Sequence, residues 1–170
     1  MKRLTVLTAA LMLLLTTTAS AHWSNAFVTV LKDYDRVRLA LARNSLDDVA
    51  KYAHRMETEL VHLNTNITAL HAGVARGDAV EVHKELPAMI EAVKRLQETH
   101  SLAEARKAFL ELSRGMARWH ALVIKKKKAI VVTCSGTGEV WLQAKKYRKE
   151  ILNPYEPGKT TGCAPVIENQ

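Results

Sequence analysis

Apolar residues return at three- and four-residue steps through four stretches of this chain, the spacing that gathers them on one side of an α-helix. The first stretch runs from about Ser24 to Arg43, with Phe27, Val30, Leu31, Tyr34, Val37 and Leu41 as its stripe. Asn44-Ser45 interrupts it, and Ser45 is expected to cap the next helix, with Asp47 and Asp48 in its first turn. That second helix is predicted from about Leu46 to Ala75, on a seam of Ala53, Met56, Leu60, Leu63, Ile67, Leu70 and Val74. The alternating steps approach coiled-coil regularity. The third, from about Asp78 to Thr99, has Val82, Leu86, Met89, Val93 and Leu96, and Pro87 inside it predicts a kink or a break. The fourth opens with the capping box Ser101-Leu102-Ala103-Glu104, continues through Phe109, Leu112, Met116 and Trp119, and fades by Lys125.

Beyond Ala129 the period changes. Ala129 to Cys134 is β-prone, Ser135-Gly136-Thr137-Gly138 is a turn, and Val140-Trp141-Leu142 reads as a second extended stretch. Asn153-Pro154-Tyr155 and Glu156-Pro157-Gly158 are further turns. The expected class is therefore all-α: an up-down four-helix bundle over residues 22–128, with a short irregular or β-hairpin-like cap over residues 129–170 packed on it as part of the same domain.

The first 21 residues do not fit that bundle. Lys2 and Arg3 precede an apolar run from Leu4 to Leu15, and Ala19-Ser20-Ala21 follows as a small-x-small cleavage site, the order found in a secretory signal peptide. A spanning helix needs roughly 20 apolar residues, more than this run supplies. Cleavage after Ala21 would take 21 residues from 170 to leave 149, and the loss of two basic residues would lower the net charge from +8 to +6. The leader is bacterial in style, so the expected destination is the periplasm, where cysteines meet an oxidising environment. No later stretch is apolar enough to span a bilayer, and export argues against a nucleic-acid partner despite the basic charge.

Candidate chemistry is sparse. Cys134 and Cys163 read either as a disulfide pinning the tail or as two thiolates for a soft metal such as copper(I) or zinc; the compartment favours the bond, and there is no Cys-x-x-Cys spacing. The histidines offer no His-x-x-x-His pair. Glu59-Leu60-Val61-His62 matches one Glu-x-x-His unit of di-iron bundles, which require two. On an uninterrupted helix His71 falls about 180° from His62, too far round to join it. His22, as a new N-terminus, would set an α-amine beside an imidazole, a pair able to chelate copper(II). Lys125, Lys126, Lys127 and Lys128 form a basic run at the predicted end of the fourth helix, a solvated helix end or a patch for an acidic partner or anionic lipid. There is no Gly-rich phosphate loop, nucleophile elbow or zinc-protease motif, and the expected protein is not an enzyme.

One ordered set of residues is more distinctive. Ala108-Phe109-Leu110-Glu111-Leu112-Ser113, Cys134, Trp141-Leu142-Gln143, Asn153-Pro154-Tyr155 and Cys163 occur in an order that resembles the bacterial family called domain of unknown function 3347. The resemblance implies an exported helical domain, found alone or fused to periplasmic adaptor subunits of heavy-metal efflux pumps. It also implies a metal-binding or accessory role in copper or other heavy-metal handling, with an efflux component as partner. In such tails Pro and Met follow the first cysteine, and a Met stands three positions before the last. Ser135, Gly136 and Thr160 occupy those places here, which removes both thioether donors and favours the disulfide. Trp141, Asn153, Pro154 and Tyr155 match the pattern as structural residues, the rings to cover the bundle end and Asn-Pro to set a turn. The alternative is a structural or interaction module of the envelope with one disulfide and no metal.

Overall fold

Asn25 starts the first helix: its side-chain oxygen accepts from the Val28 amide at 3.0 Å, supplying one of the partners a helix N-terminus lacks. In this computed structural model, which describes residues 25–124, 129–147 and 149–166, α1 spans Ala26–Leu41. Phe27, Val30, Tyr34, Val37 and Leu41 are buried on it, the face the spacing predicts. The chain then reverses through Asn44 and Asp48, both at positive φ. Ser45 does not cap the next helix. Its hydroxyl accepts from the Asp47 amide at 2.9 Å, closing a local turn, and α2 starts only at Val49.

α2 covers Val49–Thr65, and its buried seam stops at Leu63; the predicted continuation through Ile67, Leu70 and Val74 does not form. Thr65-Asn66-Ile67-Thr68 places three β-branched residues around an asparagine, all weak helix formers. Thr68 turns extended, and its hydroxyl caps the one-turn helix α3 (Ala69–Ala72) by accepting from the His71 amide at 3.1 Å. Gly73, at φ +72°, closes α3, and Leu70 is left 77% exposed.

A 3₁₀ turn over Arg76–Asp78 leads into α4 (Ala79–Glu98), which runs through Pro87 as one helix, so of the expected kink or break the division into two pieces does not occur. The proline's fixed φ is helical, so its cost is limited to one missing N–H and local crowding. α5 (Leu102–Leu122) carries its predicted cap, the Ser101 hydroxyl accepting from the Glu104 amide at 3.2 Å. The four long helices share one core, α1 lying against α2 and α5, and α4 against α2 and α5. No helix among the described residues is long and apolar enough to cross a membrane.

The tail is a small antiparallel sheet in the order β2-β1-β3, with β1 at Ala129–Cys134, β2 at Val140–Ala144 and β3 at Cys163–Pro165. The hairpin of β1 and β2 agrees with the sequence reading. β3 was not expected, because three residues between Gly162 and Val166 are too short to show a period. β2 packs on α5 and α1.

Candidate functional site

The two cysteines stand opposite one another in the β1–β3 register and are joined in a disulfide. The bond makes the sheet a covalent loop and leaves no thiolate for a metal, so the thiolate-ligand reading of Cys134 and Cys163 is not what the structure supports. His22 and the run Lys125 to Lys128 lie outside the described residues, as does the predicted leader.

The remaining tail residues are anchors. Trp141 is fully buried, and Tyr155 lies against both Phe109 and Trp141. The Asn153 side-chain oxygen accepts from the amides of Tyr155 and Glu156 at 2.8 and 3.2 Å, while its amide group donates to the Lys159 carbonyl at 2.9 Å. One asparagine thus holds the turn that Pro154 enters. The Pro154 carbonyl accepts from Arg106 on α5 at 3.0 Å, and the Leu152 carbonyl from buried Arg38 on α1 at 3.3 Å.

Beneath the sheet runs a chain of buried hydroxyls. The Leu142 amide donates to the Tyr34 oxygen at 3.1 Å, Tyr34 meets Ser113 at 2.7 Å, Ser113 meets Tyr155 at 3.1 Å, and Tyr155 reaches the Val140 carbonyl at 2.7 Å. That carbonyl can only accept, so Tyr155 gives it its single proton, Ser113 donates to Tyr155 and Tyr34 to Ser113. Burial raises both tyrosines well above the usual phenol value, outweighing the opposing hydrogen bonds to Ser113. The network welds β2 and the 153–155 turn to α1 and α5, and its hydroxyls are buried and mutually satisfied.

A different grouping lies at the end of α2. Glu59, His62 and His71 each present one donor atom, and the three atoms lie within 4.8 Å of one another. His71 Nε2 is 3.2 Å from Glu59 Oε1, and the rings of His62 and His71 meet edge to face at 5.1 Å. Glu59 and His71 are partly buried and His62 is exposed. Buried Leu60 and Leu63 fix the rotation of α2, so Glu59 and His62 share the flank beside the seam. The prediction that His71 points away from His62 is overturned, because it assumed one helix; the break at residues 66–68 turns the chain and brings His71 back. Thr65-Asn66 followed by Thr68 and Gly73 was the available signal, a helix stop and restart inside a strong heptad pattern.

The perch of His71 is well tied down. Its own amide is capped by Thr68, the Trp119 indole donates to the Ala72 carbonyl at 3.0 Å, and the Ile124 amide donates to the Gly73 carbonyl at 3.2 Å. Val74 and Val123 form a β-bridge immediately beyond. Comparison with family models, with curated proteins and with solved structures finds no match to this chain.

Proposed function

We propose that this chain is an exported, non-enzymatic module of the bacterial cell envelope: an up-down four-helix bundle, capped by a disulfide-closed sheet, that works by binding and not by turnover. The pairing of Cys134 with Cys163 is the observation that carries the reading, since such a bond belongs to an oxidising compartment. The ring of neighbours α1–α2–α4–α5–α1 supports the bundle. The tail residues that carry the resemblance to domain of unknown function 3347 are engaged in anchoring the cap, which fits a structural part for them. Mass spectrometry of the protein recovered from the envelope, alkylated with and without reductant, tests the central premise. Protection of both cysteines until reduction is expected, and two free thiols would refute it. Lys125 to Lys128 are the proposed contact for an acidic envelope partner or heavy-metal efflux component; neutralising them should abolish its capture.

A second reading, a role in copper or zinc handling, is favoured by the Glu59, His62 and His71 donors and not by the cysteines. Element analysis of protein purified from its own compartment tests it. Stoichiometric copper or zinc is the expected result, and none would count against the reading.

A further inference from the structure

We propose that Glu59, His62 and His71 form a three-ligand site for a borderline divalent cation of the zinc type, a step that rests on the metal-handling reading above and names its site. Two imidazoles and one carboxylate suit such an ion, which binds both donor types at about 2.0–2.2 Å. Donors at those distances around a tetrahedral centre stand about 3.3 Å apart. The Glu59–His71 separation of 3.2 Å already has that value, and the widest separation in the trio is no more than 4.8 Å. Exposed His62 has the freedom to close the remainder by side-chain rotation, whereas Glu59 and His71 are held by their partly buried settings.

The chain supplies the preorganisation that a scatter of surface histidines lacks. Glu59 and His62 are one turn apart on the same face of α2, and the third donor comes from a separate, capped turn. That turn is fastened on both sides of Ala72, by Thr68 before and by Gly73 and Trp119 after. Bringing donors together before the ion arrives lowers the ordering cost of binding. Three protein ligands leave a fourth position for water or for a donor from a partner, the arrangement of an exchangeable site and not of a closed structural one.

The test is a zinc titration of the full chain with its disulfide formed, in competition with a chromophoric chelator. Wild type is expected to bind one ion with Kd tighter than about 10 µM. His71→Ala, His62→Ala and Glu59→Gln should each weaken it at least about tenfold, while His83→Ala, an exposed histidine on α4, should leave it unchanged. Circular dichroism and the urea midpoint of each variant confirm the fold, and the His62 and His71 ring resonances should shift together on adding zinc. Wild-type binding that survives all three substitutions would overturn this site while leaving the metal-handling reading standing on other donors. Absence of binding at 10 µM in wild type, the threshold set above, would overturn the site, and an envelope-purified protein free of metal would then remove the wider reading as well.

Discussion

Raising the pH should unfold this protein through two particular tyrosines. An unfolded tyrosine ionises near pH 10, whereas burial holds the Tyr34 and Tyr155 hydroxyls protonated well beyond that. Their contribution is fully present below pH 10. Above it the unfolded chain gives up protons that the folded chain keeps, so stability falls as pH rises, until the folded values are reached. At pH 11 each unfolded tyrosine gains about 1.4 kcal/mol by ionising, and the pair together about 2.8 kcal/mol. Urea denaturation at pH 9, 10 and 11 measures the fall. Lysines also titrate in this range, so the decisive quantity is a difference between wild type and Tyr155→Phe. Phenylalanine keeps the ring contacts with Phe109 and Trp141, loses the bonds to Ser113 and Val140, and cannot ionise. The variant should start about 1 kcal/mol less stable near neutral pH and lose about 1.4 kcal/mol less than wild type between pH 9 and 11. Equal pH dependence in the two proteins would refute the reasoning. So would tyrosinate absorbance at pH 10.5 from all four tyrosines while the circular dichroism remains native.

Three other perturbations probe separate parts of the fold. Cys134→Ser with Cys163→Ser opens a loop with a sequence separation of 29 and should cost about 3–4 kcal/mol in urea denaturation by the loop-entropy relation, with the helical circular dichroism retained at low urea. Gly73→Ala drives a Cβ into the Asn25 side chain at φ +72°, so a loss of about 2 kcal/mol is expected, and neutrality in the same assay would show that the α3 exit is not held as described. Trp119→Phe keeps a buried ring but strands the Ala72 carbonyl, which should cost about 1–3 kcal/mol and speed hydrogen exchange at the Gly73–Val74 turn before that of α4.

What could be read from the sequence was local. Ser101 and Glu104 form their cap from residues three apart, and the stripe on α1 follows from spacing alone. The β1–β2 hairpin was visible because a Gly-containing turn separates two β-prone runs. Ser45 misled because a serine hydroxyl satisfies a turn amide as readily as a helix amide, and the choice fell to Asn44 and Asp48 adopting positive φ. Pro87 does not divide α4: the packing of Leu86, Met89, Ile90 and Val93 into the core outweighs one lost hydrogen bond. β3 is defined by its pairing with the β1 edge, where Cys163 faces Cys134, a long-range partner that a three-residue run does not announce.

The candidate site failed to show in the sequence for a connected reason. A heptad pattern strong enough to suggest one helix to Ala75 concealed the four residues that end it at Thr65. Carrying the helix through would have buried Leu70 on the seam and sent His71 to the far side; stopping it leaves Leu70 exposed and forfeits part of its burial, roughly 1.5–3 kcal/mol for a side chain of this kind. The gains at the break are Thr68 capping α3, the Trp119 bond to Ala72 and the bridge from Val74 to Val123, which close this end of the core. The same turn sets His71 beside Glu59 and His62. Restoring the helix is therefore a direct test of cause. Replacing Thr65, Asn66, Ile67 and Thr68 by alanine removes the weak formers and the cap together. If helix content rises and the His62–His71 ring contact disappears from nuclear Overhauser spectra, the break is encoded locally. If α3 persists with His71 in place, the tertiary bonds of Trp119 and Gly73 alone impose it, and the local account of the break is wrong.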